Sequence, residues 1–299
     1  MLVTTKEIVD HASKGGYAVA APNASSELDA RAYIEAAEEL HAPVIIDVAY
    51  QAHPDIYFLG KVLRGLAEQS SVPVSIQLDH GFEKDHILAA IRAGFTSVMI
   101  DRSACSFEEN VRDVKEIVDY AHAVGVSVEA EIGHVGFADN YAHDRDAALT
   151  SPEEALDFIT QTGVDCVAVA IGTAHGAYPR GFKPYLDFDR LVEIKKATNN
   201  FPLVLHGSSG TDNEDIRKAC TLGINKVNIA NDLCKATVEA LQSADLEGAK
   251  AYTVWTVGRD AAKAKLKEMI EIYGSVGKAW IPEFPGLPKE ETTMDEKKN

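Results

Sequence analysis

The feature of this sequence that most constrains its fold is a regular alternation of short apolar runs with longer amphipathic stretches. The short runs are nearly continuously apolar, which is typical of parallel strands covered on both faces, and the longer stretches carry apolar residues at helical spacing. Eight short runs are present, at residues 17–22, 44–48, 74–78, 97–101, 126–132, 166–172, 203–206 and 226–230. Because each is followed by a helical pattern, the sequence predicts an α/β fold, a (β/α)8 TIM barrel rather than an open doubly wound sheet.

The length of 299 residues is compatible with one barrel domain. We predict a barrel with a C-terminal helical extension over residues 1–281. A flexible C-terminal tail is predicted over residues 282–299, because this stretch is rich in Pro, Glu and Lys and lacks apolar periodicity. The polar, turn-rich segment 133–148 follows the fifth predicted strand, and its composition favours a mobile loop.

The composition excludes several classes of partner. The net charge is −17, and an acidic surface repels both nucleic-acid phosphates and anionic lipid. We therefore expect no nucleic-acid and no membrane partner, although a metal or local dipoles can still hold a phosphorylated small molecule. No apolar signal-peptide region opens the chain, and the four cysteines lack CxxC spacing, so reduced thiols in a cytoplasmic protein are expected.

Three of the ten histidines share one local context. His80, His175 and His206 each lie at or just after the end of a predicted strand, and each is followed by Gly. The carboxyl ends of barrel strands face the active site in this fold, so the three imidazoles are expected to converge there. Three protein ligands with an open position are typical of a catalytic zinc site. Each histidine alone could be a hydrogen-bonded strand end, but the matched contexts favour the metal site.

Carboxylates accompany these histidines. Asp79 precedes His80 and is expected either to act on a substrate hydroxyl or to orient an imidazole. Glu129 and Glu131 alternate with apolar residues in the fifth predicted strand, so both should point into the barrel. Buried carboxylates are costly unless they bind a metal or hydrogen-bond donors. A functional site and a structural polar network are therefore the two interpretations of this pair.

Two turns predict anion binding. Residues 206–210 (HGSSG) end the seventh predicted strand and residues 228–232 (NIAND) end the eighth, in both cases ahead of a helical pattern. Helix N-termini bind anions through free backbone N–H groups, and phosphate sites after the last two strands are usual in this fold. We therefore expect a phosphate group beside the histidines.

Several motifs, taken in chain order, closely resemble one enzyme family. They are LDHG, SVMIDRS, ENV, SVEAEIG, AIGTAHG, LVLHGSSG and KVNIA, and the likeness runs from residue 1 to about residue 279. The family is that of the class II, zinc-dependent ketose-bisphosphate aldolases, whose familiar members act on fructose or tagatose 1,6-bisphosphate. The resemblance implies a TIM barrel, a homodimer or homotetramer, and a lyase of carbohydrate metabolism such as glycolysis. It implies reversible cleavage of a ketose phosphate to dihydroxyacetone phosphate and an aldehyde through a zinc-stabilised enediolate.

The family pattern also implies roles for individual residues. It implies one zinc ion per chain, held by His80, His175 and His206, with Glu131 near an alternate position of the metal, and a monovalent cation as a further candidate. Asp79 would carry the proton of the C4 hydroxyl. The expected substrate-binding residues are Asn23, Gly176, Gly207, Ser209, Asn228, Asn231 and Arg259. The arginine would reach a distal phosphate from a neighbouring subunit.

Two segments depart from the family pattern. Members usually carry a GG-x-E-D loop after the fifth strand, whose Glu exchanges a proton on dihydroxyacetone phosphate. Asp139 falls at that position here, one methylene shorter, and Glu131 or His134 is the alternative. Fructose-bisphosphate members often carry a Ser-x-Gly turn after the second strand, where this chain has Ala-Tyr-Gln-Ala at residues 49–52. The sequence thus favours the aldolase class and leaves open whether the substrate is a bisphosphate.

Two other functions are compatible with parts of the pattern. A metal-dependent hydrolase or epimerase can use a zinc site of three histidines to activate water, although the HxH pair usual in amidohydrolases does not occur in the first predicted strand. A non-catalytic aldolase-like subunit should have lost a metal histidine or the aspartate, whereas His80, His175, His206 and Asp79 are all present.

Overall fold

The computed structural model describes residues 1–133, 149–173 and 184–282. Within them lie eight strands: β1 (Val19–Pro22), β2 (Val44–Ala49), β3 (Val74–Gly81), β4 (Ser97–Ile100), β5 (Ser127–Ile132), β6 (Cys166–Val169), β7 (Leu203–Leu205) and β8 (Ile224–Ile229). All paired strands are parallel, in the order β1-β8-β7-β6-β5-β4-β3-β2. The two ends of this order meet at an isolated bridge between Asn23 and Asp47, where Ala24 N donates to the Asp47 carbonyl at 2.8 Å. The sheet thus closes into a nearly complete barrel, and the predicted TIM-barrel class is confirmed.

Helices alternate with the strands, as the sequence pattern predicts. They are α1 (Thr5–Gly15), α2 (Glu27–Glu39), α3 (Ile56–Gln69), α4 (Lys84–Ala93), α5 (Phe107–His122), α6 (Pro152–Thr162), α7 (Phe188–Ala197), α8 (Asn213–Leu222), α9 (Asn231–Ser243) and α10 (Val254–Tyr273), with a 3-10 helix at Gly248–Thr253. Capping boxes begin α1, α5 and α6, at Thr4, Ser106 and Ser151. In each box the side chain of the capping residue accepts from a backbone N–H of the first turn, which stabilises the start of the helix.

Helix α1 covers the N-terminal end of the barrel. Thr5 N donates to Ser97 Oγ at 2.8 Å, and the Thr5 hydroxyl lies 2.9 Å from Ser75 Oγ. Ser97 Oγ in turn lies 2.5 Å from Ser127 Oγ. Because these serines lie near the starts of β3, β4 and β5, their hydroxyls pair with one another and with α1 at this end. The carboxyl ends of the strands are left as the mouth of the barrel.

Helix α10 forms the predicted C-terminal extension. It packs against α2 and α9 on the outside of the barrel. Lys263 of α10 lies 3.0 Å from a carboxylate oxygen of Glu35 and 2.6 Å from one of Glu39, both on α2. These ion pairs are partly exposed, so apolar packing contributes more to the docking of α10 than the charges do.

Some of the sequence predictions concern residues that the structure does not describe. Residues 134–148, 174–183 and 283–299 lie outside them, so the mobile loop and the division into domain and tail stay predictions. All four cysteines have free thiols, two of them buried and two exposed. Among the described helices, none is long and apolar enough to cross a membrane.

Candidate active site

Polar side chains gather at the carboxyl end of the barrel. A cleft of about 280 Å³ opens there, beside the ends of β1, β3, β7 and β8. The predicted site residues that line it are Asn23, Asp79, His80, Gly207, Ser209, Asn228 and Asn231. The topology explains this convergence, because the strands of a parallel barrel all end at the same rim.

Asp79 and His80 reach the same cleft although consecutive residues of a regular strand point to opposite faces. The register of β3 with β4 shifts between Leu78 and Gly81, and His80 has a φ of 49°. Strand irregularities such as bulges re-aim side chains and often lie next to an active site, and a left-handed conformation is uncommon for residues other than glycine. β3 therefore continues past its predicted end at residue 78, and its irregularity presents a carboxylate and an imidazole together.

His80 and His206 face each other across the site. His80 Nε2 lies 3.2 Å from His206 Nδ1, and the rings meet edge-on with 4.9 Å between centroids. Carboxylates occupy the outer nitrogens: Asp101 Oδ2 lies 2.8 Å from His80 Nδ1, and Glu129 Oε1 lies 2.9 Å from His206 Nε2. In neutral imidazoles these contacts hold the N–H groups outward, so both inner nitrogens direct lone pairs to one point.

This point is suited to a cation. The ligand atoms of Asp79, His80 and His206 lie within 4.8 Å of one another, and so do those of His80, Asp101 and Glu131. Burial lowers the pKa of His80, but Asp79 and the hydrogen bond to Asp101 outweigh it and raise that pKa to about 10, so the site favours positive charge. Burial lowers the pKa of His206, which keeps its ring neutral, as a metal ligand must be. The described donors therefore fit a zinc ion.

Asp79 is held by two amides. Asn23 Nδ2 donates to its Oδ2 at 2.8 Å, and Asn228 Nδ2 donates to its Oδ1 at 3.0 Å. Asp79 Oδ1 also lies 3.9 Å from His80 Nε2. Burial raises the pKa of Asp79, but neighbouring imidazole and ammonium groups outweigh it and lower the pKa. Asp79 is thus an ionised carboxylate at the cleft, with the chemistry of a proton acceptor.

Glu129 and Glu131 both point into the barrel, as their alternation predicts, but they meet different partners. Glu129 Oε2 accepts from Gln77 Nε2 at 2.8 Å and lies 3.0 Å from Lys226 Nζ. Glu131 Oε2 lies 3.5 Å from His206 Nδ1. Glu129 therefore belongs to a polar network beneath the cleft, whereas Glu131 faces the point between the imidazoles.

The turns after β7 and β8 form one wall of the cleft. Gly207 has a φ of 65°, a left-handed conformation that suits glycine, and Ser208 Oγ donates to the Asn228 carbonyl at 2.9 Å. Helix α9 begins at Asn231, and no described side chain caps its first turn. Backbone N–H groups at such a helix start can meet an anion. This wall is where the sequence predicts the phosphate.

Of the predicted site residues that the structure describes, Arg259 is not brought into the cleft. Asp139, His175 and Gly176 lie outside the described residues. Arg259, on α10, lines a separate groove between α2, α9 and α10, which shares Asn23 with the cleft. Its guanidinium lies 2.7 Å from Asp260 Oδ1.

Three charged residues of this region are missing from the sequence expectations: Asp101, Asp47 and Lys226. Asp101 directly follows β4, so the strand-end rule that selects His80 applies to it equally. Asp47 and Lys226 lie inside β2 and β8 and are fully buried. The available signal is a charge within an apolar run, because such a residue needs a partner of opposite charge inside the protein.

A barrel with carboxylate-backed imidazoles at its mouth and an ionised acid beside them defines a metal-assisted TIM-barrel enzyme. Comparison with known proteins narrows this class. The family model described as "Fructose-bisphosphate aldolase class-II" matches residues 3–278. The fructose-bisphosphate aldolase of Thermus caldophilus is 41% identical over 309 residues, which cover 93% of this chain and 100% of that protein. The chain belongs to the class II fructose-bisphosphate aldolase family, and it is accordingly a carbon–carbon lyase.

Solved structures agree with this assignment. The X-ray crystal structure of the YdjI aldolase from Escherichia coli K12 superposes with a TM-score of 0.84 at 34% identity, covering 94% of this chain and 100% of that one. The fructose-bisphosphate aldolase of Campylobacter jejuni superposes with a TM-score of 0.80 at 24% identity, over 93% of this chain and 97% of that one, which shows a shared fold. The family favours the aldolase over the hydrolase, the epimerase and the non-catalytic subunit.

Proposed function

We propose that this aldolase reversibly cleaves a ketose phosphate into dihydroxyacetone phosphate and an aldehyde, with one zinc ion per chain. The observation that carries the proposal is the irregularity of β3, which sets the ionised Asp79 beside two imidazoles whose inner nitrogens point to one site. Cleavage of the carbon–carbon bond of the ketose phosphate requires a base that accepts a hydroxyl proton and an electrophile that stabilises the developing negative charge. The two requirements meet at this cleft.

His80 and His206 hold the zinc ion, together with His175, which the family resemblance adds. When bound, the metal acts as a Lewis acid toward negative charge on substrate oxygens. The carboxylates on the outer nitrogens keep both described imidazoles in the tautomer that can bind it. Glu131 is the acid at an alternate position of the metal, and a monovalent cation is a further candidate cofactor.

Asp79 accepts the proton of the C4 hydroxyl during cleavage and returns it during condensation. The amides of Asn23 and Asn228 each occupy one of its oxygens and fix the plane of the carboxylate. Lone pairs remain on both oxygens for the substrate hydroxyl. Because hydrogen bonds to the ionised form favour it, Asp79 is a base before the substrate arrives.

The phosphate of dihydroxyacetone phosphate binds the wall formed by the turns after β7 and β8. Gly207, Ser209 and Asn231 line this part of the cleft, and Asn228 lies between it and Asp79. Gly176 joins them on the strength of the resemblance. Backbone N–H groups and hydroxyls suit a phosphate even in an acidic protein, because local dipoles act at short range.

A second residue exchanges the proton at C3 of dihydroxyacetone phosphate. We assign this step to Asp139 from its position in the family pattern, with Glu131 or His134 as the alternative. A loop acid that arrives only after the substrate has bound is common in enzymes that exclude water from the reaction.

We also propose a homodimer or homotetramer in the cytoplasm, with a role in carbohydrate metabolism. Arg259 lines a groove outside the cleft, which fits the family pattern in which this arginine reaches the distal phosphate from a neighbouring subunit. The same groove carries Trp255, whose side chain is 72% exposed. Aromatic residues are enriched in protein interfaces, so an exposed tryptophan there supports a second copy of the chain as its partner.

A condensation assay on the purified protein tests the proposal. Dihydroxyacetone phosphate is offered with a panel of aldehydes, each with and without a phosphate, before metal removal, after it, and after zinc is returned. We expect about one zinc per chain, and product only from the metal-loaded protein. Full activity after exhaustive metal removal would contradict the zinc mechanism. Product from phosphorylated aldehydes alone would identify the substrate as a bisphosphate.

A further inference from the structure

Beneath the cleft, the barrel interior holds a lysine that the proposed mechanism does not use. Lys226, on β8, is fully buried. Its ammonium nitrogen lies 2.6 Å from Asn228 Oδ1, 3.0 Å from Glu129 Oε2 and 3.2 Å from Asp47 Oδ2. These oxygens come from β8, β5 and β2, so one ammonium group joins three strands across the barrel.

The contact with Asn228 determines which way that amide points. An ammonium group can only donate, so the amide must turn its oxygen toward Lys226 and its NH2 group away. The NH2 group then donates to Asp79 Oδ1 at 3.0 Å. The ionised Asp79 can only accept, so it favours the same orientation, and the amide is held from both sides. Without the ammonium, Asn228 Oδ1 loses its donor, and the amide is held from the side of Asp79 alone. Lys226 thereby fixes one of the two amide donors that hold Asp79 more firmly in place.

The contact with Glu129 acts on the metal half of the site. Two donors reach Glu129 Oε2: Gln77 Nε2 donates to it at 2.8 Å, and the Lys226 ammonium lies 3.0 Å from it. Glu129, held as an acceptor by these donors, lies with its Oε1 2.9 Å from His206 Nε2, so it favours the proton of His206 on Nε2 and turns Nδ1 toward the metal position. Without the ammonium, Glu129 loses the charged contact that holds this carboxylate in place against His206.

We infer that Lys226 is a positioning residue that serves both halves of the site at once. Through Asn228 it orients the proposed base, Asp79. Through Glu129 it fixes the metal-binding tautomer of His206. The inference rests on the roles proposed above for Asp79 and His206, and it adds that one buried charge couples them.

The surroundings of Lys226 exclude a role as an amine nucleophile. Burial lowers its pKa, but Asp47 and Glu129 outweigh the burial and raise it, so the group stays protonated. A nucleophilic lysine needs a free lone pair, whereas the hydrogens of this ammonium face three oxygens within 3.2 Å. Its contribution is therefore geometric and electrostatic.

Lys195 provides a matched control for substitution of Lys226. It is also buried, and its Nζ donates to three uncharged oxygens at 2.7 to 3.1 Å, among them Oδ1 of Asn225 on the same strand as Lys226. Lys226→Met and Lys195→Met each remove a buried ammonium from three acceptors. A general effect of losing a buried ammonium should therefore appear in both variants. The contacts to Glu129 and Asn228 are lost in Lys226→Met and kept in Lys195→Met.

Zinc affinity tests the metal half, and competition with a chromophoric chelator measures it without any substrate. We expect Lys226→Met to weaken zinc binding by about 10- to 100-fold, the usual effect of removing a group that orients a ligand, with Lys195→Met within about threefold of wild type. Equal zinc affinities in the two variants would overturn the inference.

A double-mutant cycle at saturating zinc tests the base half. The assay is condensation of dihydroxyacetone phosphate with glyceraldehyde or its 3-phosphate, whichever reacts faster. We expect Lys226→Met to lower kcat by about tenfold or more in the wild-type background, and by less than about threefold when Asp79 is already Ala. Equal losses in both backgrounds would overturn the inference, as would an effect on only one half of the site. Wild-type activity in Asp79→Ala alone would instead contradict the proposed function.

The stability of the variants is checked by circular dichroism before either assay. If Lys226→Met does not fold, Glu129→Gln replaces it, because the glutamine keeps the size and removes the charge that Lys226 compensates. We expect Glu129→Gln to lose zinc affinity by at least about tenfold. Zinc affinity equal to that of the wild type would overturn the inference through this variant as well.

Discussion

Buried polar groups line both ends of the barrel, but their partners differ: uncharged groups pair at the N-terminal end, and charged groups gather at the carboxyl end. At the N-terminal end, covered by α1, hydroxyls pair with each other and with a backbone N–H, and Lys195 donates to uncharged oxygens of the described residues. At the carboxyl end, carboxylates and imidazoles concentrate charge. There the inner nitrogens of His80 and His206 lie 3.2 Å apart, and in neutral rings both direct lone pairs at a common point.

The comparison distinguishes buried polar groups that stabilise the fold from buried polar groups that bind ligands or take part in the reaction. A buried polar network is favourable when its donors meet acceptors, as these hydroxyls do at the N-terminal end that α1 covers, which we call the closed end. Two lone pairs aimed at one point are unfavourable unless a cation or a proton lies between them. The carboxyl end therefore carries an arrangement that a folded protein retains for binding and chemistry. Substitutions at the carboxyl end should therefore lower activity or zinc binding, whereas substitutions at the closed end should change the free energy of unfolding.

The largest effect is expected for Asp79→Ala at the carboxyl end. Loss of a positioned proton carrier should lower the rate of cleavage by about 10²–10⁴-fold, while the zinc content stays near that of the wild type. Steady-state kinetics and metal analysis of the same preparation check both parts. If zinc is lost together with activity, Asp79 supports the metal site and the proton-transfer role is wrong.

A smaller effect is expected for the second carboxylate, because it serves one half of the reaction. Asp139→Asn should lower the rate of hydrogen exchange at C3 of dihydroxyacetone phosphate, measured in deuterated water without any aldehyde, by about tenfold or more. Glu131→Gln is the matched comparison. Exchange at the wild-type rate in the Asp139 variant would exclude that residue, and loss in the Glu131 variant alone would assign the step to Glu131.

The contrast between the ends also explains what the sequence could predict. The strands and their carboxyl ends are local patterns, so His80, His206 and Asn228 could be placed at the rim before the structure was known. Asp79 could be paired with His80 only as neighbours in sequence. That both face the cleft depends on the register shift of β3, which arises from pairing with β4 and has no local signal.

The partners beneath the rim could not be predicted, because they pair across the barrel. Lys226 lies on β8 and its carboxylate partners lie on β2 and β5, so no spacing along the chain connects them. Asp101 meets His80 from the neighbouring strand end in the same way. Such contacts form only when the sheet closes. In the sequence, they are indicated only by a charged residue within an otherwise apolar run.

At the closed end, Lys195 should make the free energy of unfolding depend on pH. Burial lowers its pKa to about 8 from the ordinary value of 10.5. Between these pH values the unfolded chain holds a proton that the folded protein has released, so the free energy of unfolding rises with pH. For the wild type relative to Lys195→Met, the rise should be on the order of 3 kcal/mol.

Denaturant unfolding of both proteins between pH 7 and pH 11 measures this rise. Other titrating groups are shared by the two proteins, so their contributions cancel in the difference. The difference should be flat below about pH 8, because both states are then protonated. A difference that falls as the pH rises would show that Lys195 is stabilised as a cation, like Lys226.

The smallest effect is expected for Ser97→Ala, also at the closed end. This change removes the acceptor of Thr5 N and one partner of the Ser127 hydroxyl, both of which are buried. A buried donor left without an acceptor costs about 1–3 kcal/mol in the free energy of unfolding, but kcat and zinc affinity should not change. Ser243→Ala, which removes an exposed hydroxyl, is the control and should stay within about 0.5 kcal/mol of wild type. A loss of zinc affinity in Ser97→Ala would mean that the hydroxyl network at one end supports the imidazoles at the other, and the two ends would then have to be treated as one cooperative site.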